Sequence, residues 1–239
     1  MSEKEKVTQL LLQVELNIEA GNRKEAEKGL FQALRIAEKI HDEMLASKVL
    51  SLLRKIGLFL VNTQYIELSP LETEGFILDI GGGGEGIIGE LNGRQVIAID
   101  TSERELAETH NEALKVVMDA TDLRFLPKSF DVCTAFFSLM YIPKSKHSTV
   151  FRETHRVLRD NGRFLVWDVR IPMAEEECNQ FIAPLKIQLP NEVVETGYGV
   201  KWQVQDIEYF KQLVQQTKFR VLNEWSKGEI FHLEMRKET

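Results

Sequence analysis

The residues with the clearest chemical potential are Asp79, Asp100 and Asp119, each at or just after the end of an apolar run, together with the glycines Gly81, Gly82, Gly83 and Gly84 that follow the first acid. A carboxylate accepts hydrogen bonds and attracts cations, and a loop without side chains lets backbone approach a ligand closely and take positive φ. The stretch 77–86 reads as a buried strand entering a glycine loop. A helix signal, Ile87-Ile88-Gly89-Glu90-Leu91, follows it. That junction is where α/β proteins bind nucleotide-like ligands. Gly81, Gly83 and Gly86 also fit G-x-G-x-x-G, so the glycines alone leave a dinucleotide phosphate cradle open beside other ligands.

The elements that must position these residues are legible from periodicity. Gln95 to Asp100 reads as a second strand, Glu103 to Ala113 as a helix, Lys115 to Met118 as a third strand and Phe130 to Phe136 as a fourth. A helix from about Lys146 to Leu158 and the turn Asp160-Asn161-Gly162 lead into a fifth strand, Arg163 to Val169. Strands alternating with helices predict a Rossmann-like, doubly wound α/β sheet, mostly parallel. The tail predicts a helix, Asp206 to Thr217, and two strands, Arg220 to Trp225 and Ile230 to Met235, joined at Lys227-Gly228; so short a turn makes that C-terminal pair antiparallel.

Before the sheet, residues 2–57 show three amphipathic helices. Ser2-x-x-Glu5 has the form of a capping box, Asn22-x-x-Glu25 marks a second start and Asp42 a third. Ala20-Gly21 through Ala33 and Ala37 resembles a single tetratricopeptide unit, without the repetition of a solenoid. The expected organisation is an N-terminal helical extension over 1–62 and a second domain over 63–239, the latter with a lid-like insertion at about 170–205. That insertion holds Pro172, Pro184 and Pro190, the acidic run Glu175-Glu176-Glu177 and the aromatic-glycine patch from Thr196 to Trp202. A long excursion beside the carboxyl edge of a sheet serves as a lid or substrate wall.

Composition narrows the function. The chain has 239 residues and a net charge of −7; its first 60 residues hold 10 Lys/Arg against 9 Asp/Glu, so the remainder carries 20 against 28. That sign disfavours nonspecific attraction to nucleic acid or anionic membranes. The polar start and the lack of a run near the roughly 20 apolar residues of a membrane span suggest a cytoplasmic protein. Cys133 and Cys178 are the only cysteines, and His41, His110, His155 and His232 are scattered, so neither a disulfide framework nor metal-ligand spacing is expected.

The acids decide between the cradles. Asp100, at the end of strand two and 19 residues after Gly81, suits both hydroxyls of a ribose, while Asp119 and the Ala120 amide suit the two-point reading of an adenine. A carboxylate at Asp79 would repel a pyrophosphate and welcome a cation. S-adenosylmethionine carries an ammonium, a sulfonium and an adenosine, with no phosphate.

At these residues the chain resembles the class I S-adenosylmethionine-dependent methyltransferases. Leu78-Asp79-Ile80-Gly81-Gly82-Gly83 looks like their first motif, Val96 to Asp100 their second and Met118-Asp119-Ala120-Thr121 their adenine motif. Phe130-Asp131-Val132 through Tyr141 resembles the fourth-strand motif, and Arg156-Val157-Leu158 to Leu165 the approach to strand five. The resemblance, over about 76–168, implies that Asp79, Gly81, Gly82 and Gly83 hold the methionine part, Asp100 with Thr101 the ribose, and Asp119 with Ala120 the adenine. Phe137 would line the cavity, and S-adenosylhomocysteine would be the product. The extra glycine and Glu85 depart from the shorter Gly-x-Gly common there.

Methyl transfer from an activated sulfonium proceeds by proximity and desolvation and does not require a dedicated base. Tyr141 and His147, after strand four, are the catalytic candidates. Neither an Asn/Asp-Pro-Pro-Tyr nor a Pro-Cys motif follows that strand, which with the acidic charge points to a small-molecule acceptor at an O, N or C atom. The N-terminal helices are expected to cover the acceptor or pair two subunits as a homodimer. Two other readings compete: an NAD-dependent oxidoreductase, and a non-catalytic binding protein with this fold.

Overall fold

The computed structural model describes residues 2–173 and 178–238; the acidic run 175–177 lies outside them. The chain divides into two compact units, one of Met1–Asn62, Met173–Pro184 and Gly199–Trp202, the other of Thr63–Pro172, Leu185–Tyr198 and Gln203–Thr239.

Unit one begins with α1 (Glu3–Glu19), α2 (Arg23–Lys39) and α3 (Glu43–Lys55). The Ser2–Glu5 capping box forms, and Asp42 accepts the Leu45 N–H. Asn22 sits at the N-cap of α2 without a side-chain bond, contrary to the capping expected of it. Apolar residues at helical spacing, among them Val7, Leu11, Leu30, Ala33, Val49 and Leu53, form the unit's core. The short strand β1 (Leu58–Leu60) pairs in parallel with residues 180–182, and Phe59 stacks on Phe181 at 6.0 Å.

Unit two holds β2 (Gln64–Glu67), which pairs in parallel with residues 185–188. Neither β1 nor β2 is among the expected strands. Then come β3 (Ile77–Ile80), α4 (Ile87–Asn92), β4 (Val96–Asp100), α5 (Glu103–Glu108), β5 (Leu114–Val117), β6 (Phe130–Phe136), α6 (Lys144–Val157) and β7 (Leu158–Val169). The segment expected to be an insertion forms β8 (Gln180–Gln188) and β9 (Val193–Lys201), paired with each other; α7 (Ile207–Gln216), β10 (Phe219–Lys227) and β11 (Ile230–Lys237) complete the chain.

The main sheet has the order β10-β11-β7-β6-β3-β4-β5, parallel except that β11 runs antiparallel to both neighbours. β3, central and covered on both faces, is buried throughout and accordingly apolar except for Asp79. Beneath the sheet, Phe130, Phe151, Phe164, Phe210 and Phe231 build an aromatic core, with Phe151 and Phe164 edge-to-face at 5.2 Å. Two boundaries differ from the expectation. The 160–162 turn is a bulge inside β7, the register passing from Phe130↔Leu158 to Val132↔Arg163 with Asn161 at φ 63°. Helix α5 stops at Glu108, because the Thr109 hydroxyl donates to the carbonyls of Gly84 and Glu105 and the Asn111 amide donates to Gly86 O, 2.8 Å away.

Candidate active site

Strands β3, β4 and β6 end side by side, and a cavity of about 630 Å³ opens at their carboxyl ends. Asp79, Gly81, Gly82, Gly83, Asp100, Thr101, Asp119, Ala120, Phe137 and Tyr141 all line it. The order of the parallel strands brings together residues up to 62 positions apart in sequence (141 − 79).

The glycine loop is fastened from below. The N–H groups of Gly81 and Gly82 both donate to Ile99 O, at 2.8 and 3.0 Å, so these two amides hold the loop against β4. Gly81 takes φ +73°, and a Cβ there would sit 2.4 Å from that of Ser138. A Cβ on Gly82 would lie 2.5 Å from Asp79 Oδ2 and 2.9 Å from Ala98 Cβ. The absence of side chains is therefore a packing requirement as well as a conformational one.

Asp79 is 2% exposed, and its Oδ1 accepts the Thr134 hydroxyl at 2.7 Å. Burial raises its pKa to about 7; the Thr134 bond opposes the rise and the charge of Asp100 adds to it. Asp100 Oδ1 accepts the Ser102 N–H at 2.8 Å. Asp119 accepts both the N–H and the hydroxyl of Thr121, at 2.8 and 2.7 Å, and these bonds, helped by Lys146 at 3.5 Å, hold its pKa below the usual carboxylate value.

On the far wall, the Tyr198 ring stacks on Phe137 at 5.5 Å, and its hydroxyl donates to Glu85 Oε2 at 3.3 Å. The Thr196 hydroxyl donates to the other oxygen of Glu85. Burial, with the nearby Glu85, Tyr141 and Asp79, pushes the Tyr198 phenol well above its ordinary pKa. Glu85 and Tyr198 were not among the expected site residues. The aromatic-glycine patch around Tyr198 was their only signal, because the Thr196 and Tyr198 bonds to Glu85 span more than a hundred positions.

Residues 78–166 match the family model described as a methyltransferase domain. Over that span, about a third of the chain, the sequence is similar to methyltransferase domains. Solved structures share the fold: an S-adenosylmethionine-dependent methyltransferase from Methanosarcina mazei is 19% identical with a TM-score of 0.50, over 70% of this chain and 94% of that one. Another, from Clostridium acetobutylicum, is 12% identical with a TM-score of 0.51, over 70% and 85% of the two chains. A search of curated proteins returned no match.

The fold does not bring His147 to the cavity. This residue, expected as a possible base, is fully buried beneath it: Nε2 lies 3.0 and 2.9 Å from the carbonyls of Leu139 and Ile142, and Nδ1 lies 2.9 Å from the Tyr209 hydroxyl. Two carbonyls at Nε2 place the proton there and leave Nδ1 to accept from Tyr209. Burial lowers its pKa, so the ring is neutral and both nitrogens are engaged. Tyr141 is half exposed at the cavity's edge, in a single 3-10 turn (Leu139–Tyr141). That turn is anchored by buried Asp168, which accepts the N–H groups of Met140 and Val169 and the Gln205 amide. Among the described residues no group of three or more metal-ligating side chains occurs, and no helix is long and apolar enough to cross a membrane.

Proposed function

We propose that the chain transfers the methyl group of S-adenosylmethionine to a small-molecule acceptor, with Asp79 receiving the cofactor's ammonium. The observation that carries this reading is the buried Asp79 carboxylate at the mouth of a cavity whose other lining acids, Asp100 and Asp119, end or follow the next two strands. Asp79, Glu85, Asp100, Glu105 and Asp119 face Lys146 as the sole basic residue among the described lining residues. That balance suits a ligand bearing an ammonium and a sulfonium and opposes a pyrophosphate, which argues against the NAD alternative.

In this reading Gly81, Gly82 and Gly83 let the methionine part lie against bare backbone, Asp100 with Thr101 orients the ribose, and Asp119 with Ala120 reads the adenine. When bound, the cofactor supplies a methyl group already activated for displacement. Phe137, Tyr141 and Tyr198 wall the reacting end, keep water from it and hold the acceptor in line. The lid-like role expected of residues 170–205 narrows to the middle of β9, where Gly197 and Tyr198 line the cavity. The test is titration calorimetry with S-adenosylmethionine. Saturable binding by the wild type, lost in Asp79→Ala, is the expected result, and no binding by the wild type overturns the reading.

A further inference from the structure

The cofactor reading gives no role to two lining carboxylates, Glu105, which pairs with Arg104, and Glu85, which stands by the aromatic wall. Glu85 is half buried, follows the glycine loop and stands with Tyr198, Phe137 and Tyr141. Two donors, Thr196 and Tyr198, occupy two of the roughly four acceptor positions on its oxygens, which leaves it able to receive an N–H. Lys146, which alone among the described lining residues would attract an anion, is paired with Asp119 at the opposite, adenine-side acid. With Asp79 engaged by the cofactor's ammonium, an anionic acceptor would still meet Glu85 with no side-chain cation beside it, whereas an amine meets a carboxylate, a phenol and aromatic walls.

We propose, resting on the methyl-transfer reading above, that the acceptor is a small amine and that Glu85 holds its nitrogen. The bound ammonium first gives one proton to Glu85, which passes it to water; the freed lone pair then forms the N–CH3 bond as the S–CH3 bond breaks, the bonding pair stays on sulfur as a neutral thioether, and the methylated ammonium leaves as product.

The experiment uses the full chain with trideuteromethyl S-adenosylmethionine and an aqueous small-metabolite extract, half of it treated with succinimidyl acetate to cap amines. Labelled products in the untreated half that drop at least about tenfold in the capped half support the proposal. Products that survive capping, or the absence of any labelled amine, overturn it. Glu85→Gln removes the charge, keeps one acceptor oxygen for Thr196 or Tyr198 and offers the other hydroxyl an amide donor in place of an acceptor; the proposal expects the KM for the labelled amine to rise about tenfold or more while the cofactor Kd stays within about twofold. An unchanged KM in that variant assigns Glu85 to fastening β9 and overturns the proposal. Failure of the wild type to bind cofactor would instead strike the underlying reading, so the two failures are distinguishable.

Discussion

Asp79 is raised to about 7 chiefly by burial, so near neutral pH its proton competes with a cationic ligand. Binding an ammonium favours the ionised form, and below pH 7 that form must first lose a proton. The Kd for S-adenosylmethionine should therefore rise about tenfold per pH unit below about 7 and level off just above it. Calorimetry in buffers of different ionisation enthalpy checks this, with close to one proton released at pH 6. For folding alone the sign is opposite to that of a salt-bridged acid. Asp79 and Asp168, both raised to about 7 with burial as the first cause, contribute stability below the unfolded pKa near 4, and it is lost as pH rises through 7. His147→Ala should cost about 1–3 kcal/mol in urea unfolding, by removing the buried ring's hydrogen bonds to Tyr209, Leu139 and Ile142 and leaving a void where it packed, and leave the pH dependence of cofactor binding unchanged. The acids at strand ends were legible because an acid breaking an apolar run is conspicuous. The fate of His147 was not, since a histidine near a strand end looks the same in sequence whether its ring meets solvent or carbonyls.

Where elements meet, the glycine loop leaves the end of β3 and is fastened by Ile99 of β4 and by Thr109 and Asn111, just past α5. Gly82→Ala would drive a methyl group into Asp79 Oδ2 and Ala98 Cβ. It should cost about 1–3 kcal/mol and weaken cofactor binding about tenfold or more, measured by thermal unfolding and calorimetry on the same preparation. The strand-helix alternation was readable from mostly apolar runs bounded by polar residues, and the antiparallel end from the short turn at Lys227-Gly228. Helix α5 was overextended by five residues, since Thr109 and Asn111 are compatible with a helix until their side chains are seen holding Gly84 and Gly86. β1 and β2 escaped notice for a different reason. They are 3 and 4 residues long, and the strand that pairs with both lies more than a hundred residues later, so no local pattern announces them.

Across the whole chain, the helical unit is discontinuous in sequence: residues 1–62 share it with 173–184 and 199–202. Deleting residues 2–62 should therefore not release a clean catalytic core. It would strip β1 from residues 180–182 and uncover fully buried Phe181, leaving a chain that proteases cut between 178 and 202 faster than the intact protein, a difference limited proteolysis with mass mapping would record. The composition announced an acidic protein but not that its acids gather in one cavity, because only the fold brings them there. The placement of Asp79 also bears on turnover. A carboxylate that grips the ammonium touches a group shared by the methyl donor and the spent thioether, so it lowers KM without favouring the transition state. Its grip on S-adenosylhomocysteine should be as firm as on the donor, and Asp79→Asn should weaken both by the same factor. This enzyme would then be throttled by its own by-product, its rate in a living cell following the ratio of fresh to exhausted cofactor more than the amount of either.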